Sequence, residues 1–213
     1  MNNGLSQRRL GCWQRWLLRL AIVTALLAGA VVHYLSTNRH VVIPGQVYRS
    51  AQLNPSRMAT YVTDNGIRSV INLRGSNPGM PWYGKELAVA HDLGLHHYDI
   101  RLSKRSMPTA SQLAYLVQVL ETAPKPLLIH CCSGSDRTGF VAAVALLLHN
   151  ASLAQAQQQI SWKYLSALSG TIGPMTLAHY QAWLKQQHEV SSTTHFTAWV
   201  QRVAQRGHYD TVS

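Results

Sequence analysis

The sequence predicts an α/β fold: a central, mostly parallel sheet of four or five strands flanked by helices, preceded by an N-terminal transmembrane helix. Three observations lead there. Short apolar runs alternate with longer stretches of helical periodicity over 44–190. The strand-like run Leu127-Leu128-Ile129, set off by Pro124 and Pro126, passes through a loop containing Gly134 into the apolar helix Thr138 to Leu148. Near the start, Arg8, Arg9, Arg15 and Arg19 precede an apolar stretch from Leu20 to Val32.

Taken in order, Val47 to Ser50 forms a short strand. Asn54 or Ser56 caps a helix that ends near Gly66, where glycine suits the position after the last turn. Ile67 to Leu73 is a core strand, Trp82 to Leu93 a helix closed by Gly94, and Leu95 to Leu102 an alternating strand carrying the pair His96-His97. Thr109 caps a helix over Ser111 to Thr122, which leads to the strand before the Gly134 loop. Four or five helices close the chain. The last two cover Met175 to His188 and His195 to Gln205, with Ser191-Ser192-Thr193-Thr194 between them, and 191–213 reads as a helical appendage. Trp162, Tyr164 and Trp183 read as core and pocket wall. A chain of 213 residues suits one core of about 150 residues with a short extension.

From Leu17 to Leu35 the N-terminal stretch has the length of a membrane segment, close to the roughly 20 residues that span a bilayer. Trp13, Trp16 and Tyr34 flank it as interfacial aromatics, and Arg19 lies near enough to the end to snorkel. Positive charge before the stretch orients it. Residues 1–16 are then a cytoplasmic tail, 17–35 a signal anchor in the inner membrane and 36–43 a linker, and the domain faces the extracytoplasmic side, the periplasm in a bacterium. Ala28-Gly29-Ala30 also fits a small-x-small cleavage site, which would release the domain to the periplasm. Arg8-Arg9 lies too far from the apolar run for a twin-arginine signal, and Cys12 precedes that run, which excludes a lipoprotein box.

The net charge of +11 is distributed along the chain. Beyond Leu35, fifteen Lys and Arg face eight Asp and Glu, a net +7. A basic domain suits anionic substrates or anionic lipid head groups. No nucleic-acid-binding motif accompanies the charge, so no nucleic acid is expected as partner. Only Cys131 and Cys132 lie in the domain, which therefore has no disulfide framework, and Cys132 reads as a small buried filler. The eleven histidines lack metal-ligand spacing, and neither a metal nor a cofactor is expected.

Residues 130–139 read His-Cys-Cys-Ser-Gly-Ser-Asp-Arg-Thr-Gly. A glycine-containing loop between strand and helix can turn successive N–H groups inward, and the helix N-terminus adds partial positive charge; together they hold an anion without any side chain. Arg137 adds a planar fork that grips two phosphate oxygens, which a lysine cannot do. The same field favours the thiolate of Cys131, and a thiolate beside a bound phosphate is a nucleophile aimed at phosphorus.

The string resembles the His-Cys-x-x-Gly-x-x-Arg-Thr signature of cysteine-dependent tyrosine and dual-specificity phosphatases, with His130, Cys131, Gly134, Arg137 and Thr138 at the fixed positions. Val47-Tyr48-Arg49-Ser50-Ala51-Gln52-Leu53 and Ile67-Arg68-Ser69-Val70-Ile71-Asn72-Leu73-Arg74-Gly75 are similar to the entry segment of small atypical members. The resemblance covers about 44–187. It is closest to bacterial members and more distant from plant and fungal enzymes acting on inositol pyrophosphates. It implies the cysteine-phosphatase fold over a catalytic domain at 44–190. It also implies hydrolysis of phosphate monoesters through a phosphocysteine, on phosphorylated proteins or on phosphoinositides, inositol phosphates or phospholipid head groups; a non-catalytic phosphate-binding module is a third possibility.

The remaining roles divide as follows. Cys132, Ser133, Gly134 and Ser135 surround the phosphate, and Thr138 donates to the Cys131 sulfur as it leaves. His130 orients the cysteine loop by hydrogen bonding. Lys104 and Arg105 draw an anionic substrate over the pocket. Two aspartates compete as proton donor to the leaving oxygen. Asp99 lies 32 residues before Cys131, a spacing similar to that of the family's acid, yet Tyr98-Asp99-Ile100-Arg101-Leu102 reads as strand and the next loop lacks a carboxylate. Asp136 adjoins Arg137, in a Gly-x-Asp-Arg-Thr arrangement that resembles the loop of myotubularin-type phosphoinositide phosphatases.

Overall fold

The computed structural model describes residues 11–166 and 169–210, and leaves out the side chains of 12, 30 and 33–35. The chain divides into two compact units, Met1–Ser36 and Thr37–Ser213.

The first unit carries most of helix α1 (Cys12–Thr37). Here the expected transmembrane helix over 17–35 is corrected: among the described residues, no helix is long and apolar enough to cross a membrane. Arg19 and His33 confine the uninterrupted apolar run of α1 to Leu20–Val32. That run is roughly 20 Å of helix at 1.5 Å per residue, short of a hydrocarbon core about 30 Å thick. The single-pass topology, the inner-membrane partner and the extracytoplasmic location built on that span fall with it. Arg8 and Arg9 lie outside the described residues.

The second unit is built on a mixed five-stranded sheet in the order β1-β2-β5-β3-β4. Its strands are β1 (His40–Ile43), β2 (Val47–Ser50), β3 (Ser69–Asn72), β4 (His96–Asp99) and β5 (Leu127–His130). β1 pairs antiparallel with β2, and the other pairings are parallel. β5, fully buried, lies at the centre because Leu127 and Ile129 face one core while Leu128 faces another. The larger core packs α4 (Ala110–Thr122), α5 (Asp136–Leu148), α7 (Ile172–Gln187) and α8 (Thr193–Arg206) over one face, around Phe140, Tyr180 and Phe196. The smaller core sets Met58 and Val62 of α2 (Pro55–Asp64) against Tyr48, Val70 and Leu128 on the other face, where α3 (Pro81–Asp92) packs beside α2.

Local chemistry accounts for the element ends. Asn54 Oδ1 accepts from Arg57 N at 2.9 Å and caps α2, with Pro55 in its first turn. Thr109 and Gln112 form a reciprocal capping box on α4, and Ser152 with Gln155 does the same on the short α6 (Leu153–Gln157). β4 stops at Asp99 rather than at Leu102. Ile100 N and Leu102 N still donate to Asn72 O (3.0 Å) and Leu73 O (3.2 Å), as the chain drifts out of the ladder across the sheet edge.

Candidate active site

Because β2, β5, β3 and β4 run parallel, Ser50, His130, Asn72 and Asp99 end at one edge of the sheet. Parallel sheets hold ligands outside that edge. The loop over 131–135 leaves central β5 there and enters α5, and neighbouring segments turn three of its successive carbonyls outward. Cys132 O accepts from Gln52 N at 3.1 Å, Ser133 O from Asn38 Nδ2 at 3.1 Å, and Gly134 O from Arg49 Nη2 at 2.7 Å. In a trans peptide the N–H points opposite to the carbonyl. The amides of Ser133, Gly134 and Ser135 therefore turn inward, which is the nest an anion needs. α5 begins at Asp136 with no side-chain cap from Ser135, so its first-turn amides remain available to the same anion.

Gly134 is required at the apex. Its φ is +70°, and a Cβ there would lie 2.6 Å from Ala51 N and 2.7 Å from Ser50 C, both backbone atoms at the end of β2.

Arg49, quoted above only within a similar segment, holds this arrangement from behind. It is fully buried, donates to Gln159 O (3.0 Å) and Oε1 (2.8 Å) as well as Gly134 O, and lies 4.0 Å over the Tyr164 ring. Burial pulls its pKa down to about 10 against the opposing influence of Tyr164 and Cys131, so it stays charged at neutral pH. A charged residue in the middle of the apolar strand Val-Tyr-Arg-Ser was the signal that could have found it.

A cavity of ≈ 270 Å³ opens inside the loop, lined by Lys104, Cys131, Cys132, Ser133, Asp136 and Arg137. Arg137 Nη1 leans on Leu73 O (3.3 Å) and Leu102 O (3.5 Å), beyond the ends of β3 and β4. Gly134 and Ser135 shape the loop without lining the cavity. Thr138 is buried behind it, its Oγ1 without a hydrogen-bond partner among the described residues. Cys131 is buried, whereas Cys132 is exposed; the buried filler expected of Cys132 is corrected, since its side chain lines the pocket mouth. Arg105 is exposed and does not line the cavity.

The two aspartates are placed differently. Asp136 lines the cavity and its Oδ1 accepts from Ser166 Oγ at 3.0 Å. Asp99, at the end of β4, is outside the lining; its Oδ1 accepts from Asn72 Nδ2 at 2.8 Å and its Oδ2 from the Tyr83 hydroxyl.

Sequence reasoning missed Glu86. Only 3% exposed on the inner face of α3, it receives Gln52 Nε2 and lies 3.0 Å from His97 Nε2 and 3.2 Å from His130 Nε2. The His130 approach is off the line of a good hydrogen bond, and His130 Nδ1 has no partner among the described residues. Burial alone would push the Glu86 carboxyl up, but the contacts from His130, His97 and Gln52 hold it far below the usual carboxylate range. One buried carboxylate thus lies against residues on both flanks of the cysteine loop, His130 and Gln52. Its signal was the stripe Tyr83, Glu86, Ala90, which puts a carboxylate where a helix buries its apolar face.

A buried cysteine, an arginine fork and inward amides around one cavity are the arrangement that a cysteine-based phosphatase needs. Residues 30–159 match the tyrosine phosphatase family, and the chain belongs to it. Several solved structures share the fold. The core catalytic domain of PP-IP phosphatase SIW14 from S. cerevisiae, in complex with citrate, is 19% identical over 71% of this chain and 93% of that one, with a TM-score of 0.55. PTPMT1 is 18% identical over 70% and 98%, with a TM-score of 0.52. A putative phosphatase from Shewanella putrefaciens CN-32 is 16% identical over 81% and 95%, with a TM-score of 0.50. No match was found among curated proteins.

Proposed function

We propose that this protein hydrolyses phosphate monoesters through a phosphocysteine on Cys131, with phosphorylated tyrosine, serine and threonine side chains of proteins as substrates. The observation that carries the reaction is the shared cavity of Cys131 and Arg137, floored by amides that neighbouring segments turn inward. The phosphoryl group sits on the loop amides and Arg137, and the Cys131 thiolate attacks phosphorus. The P–O bond to the leaving group breaks, and that oxygen takes a proton from an aspartate. Water then attacks the phosphocysteine, gives its proton to the same aspartate and releases inorganic phosphate and the thiolate. Asp136 is the better placed of the two aspartates because it lines the cavity, whereas Asp99 has both oxygens engaged by Asn72 and Tyr83.

A second reading is favoured by the lining itself. Among the described residues no aromatic side chain lines the Cys131 cavity, whereas Lys104 and Arg137 do, which suits a hydrophilic polyanion such as an inositol phosphate or a phosphorylated lipid head group. Steady-state turnover of a panel of phosphopeptides, phosphoinositides and inositol phosphates by the purified protein and its Cys131→Ser variant tests both readings. Turnover is expected with wild type and not with the variant. Phosphopeptide turnover far above that of the other classes supports protein substrates, and the reverse supports the second reading. Turnover that persists in Cys131→Ser contradicts the mechanism, and binding of phosphorylated ligands without turnover even of an aryl phosphate identifies a non-catalytic module.

A further inference from the structure

A larger cavity, ≈ 350 Å³, lies at the same sheet edge on the side of β5 covered by α2 and α3, opposite the face packed by α5. Its lining is Leu53, Pro55, Met58 and Trp82, with the stem of Lys85 and the polar groups of Gln52, Asn54 and Glu86. Among the described residues the two linings have none in common but are joined by a hydrogen bond: Gln52 lines this cavity, Cys132 lines the catalytic one, and Gln52 N donates to Cys132 O at 3.1 Å.

The two cavities are complementary in chemistry. Among the described residues the catalytic cavity has a charged and polar lining, and the neighbouring one supplies large apolar side chains. Arg74 contacts two of the lining residues, stacked 3.6 Å over the Trp82 ring and donating to Gln52 Oε1 at 3.1 Å, and the lining residue Lys85 is exposed. Glu86, the one carboxylate in its lining, is already met by Gln52, His97 and His130. A ligand in this space therefore meets apolar walls bounded by cations.

We propose that this second cavity is the leaving-group subsite, and that the substrate is a phosphate monoester bearing an apolar arm. The phosphate sits on the Cys131 loop and the arm crosses the Gln52–Cys132 ridge to lie against Leu53, Met58 and Trp82. The inference rests on the phosphatase reading above and names the kind of ester that the same site prefers.

A series of n-alkyl phosphates from ethyl to octyl tests it, with kcat/KM measured for wild type, Trp82→Ala and Pro55→Phe. Pro55 is exposed in the first turn of α2, so a larger side chain there narrows the cavity at a tolerant position. In wild type, kcat/KM rises with chain length, by up to about fourfold per methylene that becomes buried. In each variant the octyl-to-ethyl ratio falls by roughly tenfold as wall contact is lost or the cavity is blocked. Competitive inhibition by inorganic phosphate checks that each variant keeps an intact cysteine loop. A flat series in wild type, or a rise that both variants retain, overturns the subsite and leaves the phosphatase standing. Absence of turnover at every chain length, or turnover that survives Cys131→Ser, instead overturns the phosphatase reading, and the subsite with it.

Discussion

At the scale of single residues, groups that line the Cys131 cavity differ from groups that hold the loop from behind. Asp136 lines the cavity and Asp99 does not, so the proton donor is testable by substitution. Asp136→Asn is expected to lower kcat/KM on an alkyl phosphate by about 10² or more, yet to change kcat/KM little on p-nitrophenyl phosphate, whose leaving group departs without a proton. Asp99→Asn is expected to cost stability more than turnover, because it weakens bonds to Asn72 and Tyr83. The opposite pattern in steady-state kinetics assigns the acid to Asp99. Glu86 acts through stability and loop position. Its carboxyl titrates below the unfolded value of roughly 4.3, so its contribution is complete above that pH and is lost as pH falls toward the folded value. Glu86→Gln is expected to lose about 1.5–3 kcal/mol at neutral pH and to flatten the acid side of the stability profile, as read by urea unfolding across pH. An unchanged profile would show that Glu86 does not anchor His130.

At the scale of elements, the decisive piece is the turn between β5 and α5. Its amides face inward only while Gly134 holds φ +70° against the end of β2 and Arg49, Asn38 and Gln52 N hold the carbonyls outward. Gly134→Ala forces a Cβ to within 3 Å of three backbone atoms, so the loop must shift. Activity is expected to fall by about 10²–10³, with phosphate inhibition weakened in parallel, since the misplaced amides serve both ground state and transition state. Full activity in that variant would show that the amides are not the phosphate floor. The turn was legible in the sequence because strand, cysteine, glycine, arginine and helix follow without interruption. Asn54 and Thr109 were legible as caps for the same local reason. Arg49, Asn38 and Glu86 were not, because each acts across a large sequence separation and only the sheet order brings it to the loop. β1 escaped because His40–Ile43 becomes a strand only by pairing with β2.

At the scale of the whole molecule, net charge and the parallel sheet are the features that bear on how an anionic substrate would reach the site. A chain of net charge +11 draws an anionic ester through long-range attraction that salt screens. kcat/KM is therefore expected to fall as ionic strength rises while kcat stays nearly constant, and a salt-independent kcat/KM would remove steering from the account. The parallel strands bring the residues of the candidate site to one edge, and that convergence was predictable once α/β alternation had been read. The membrane span was misread because flanking arginines and aromatics imitate a spanning helix, while Arg19 and His33 leave too short an apolar run between them. The proposed mechanism requires a covalent phosphocysteine on Cys131. Acid quenching of turnover on a phosphate-labelled aryl ester, whose leaving group needs no proton, followed by peptide mapping, is expected to leave label on the peptide containing Cys131, increased in Asp136→Asn and absent in Cys131→Ser. Product formation at wild-type rate with no label on Cys131 at any quench time would contradict the account.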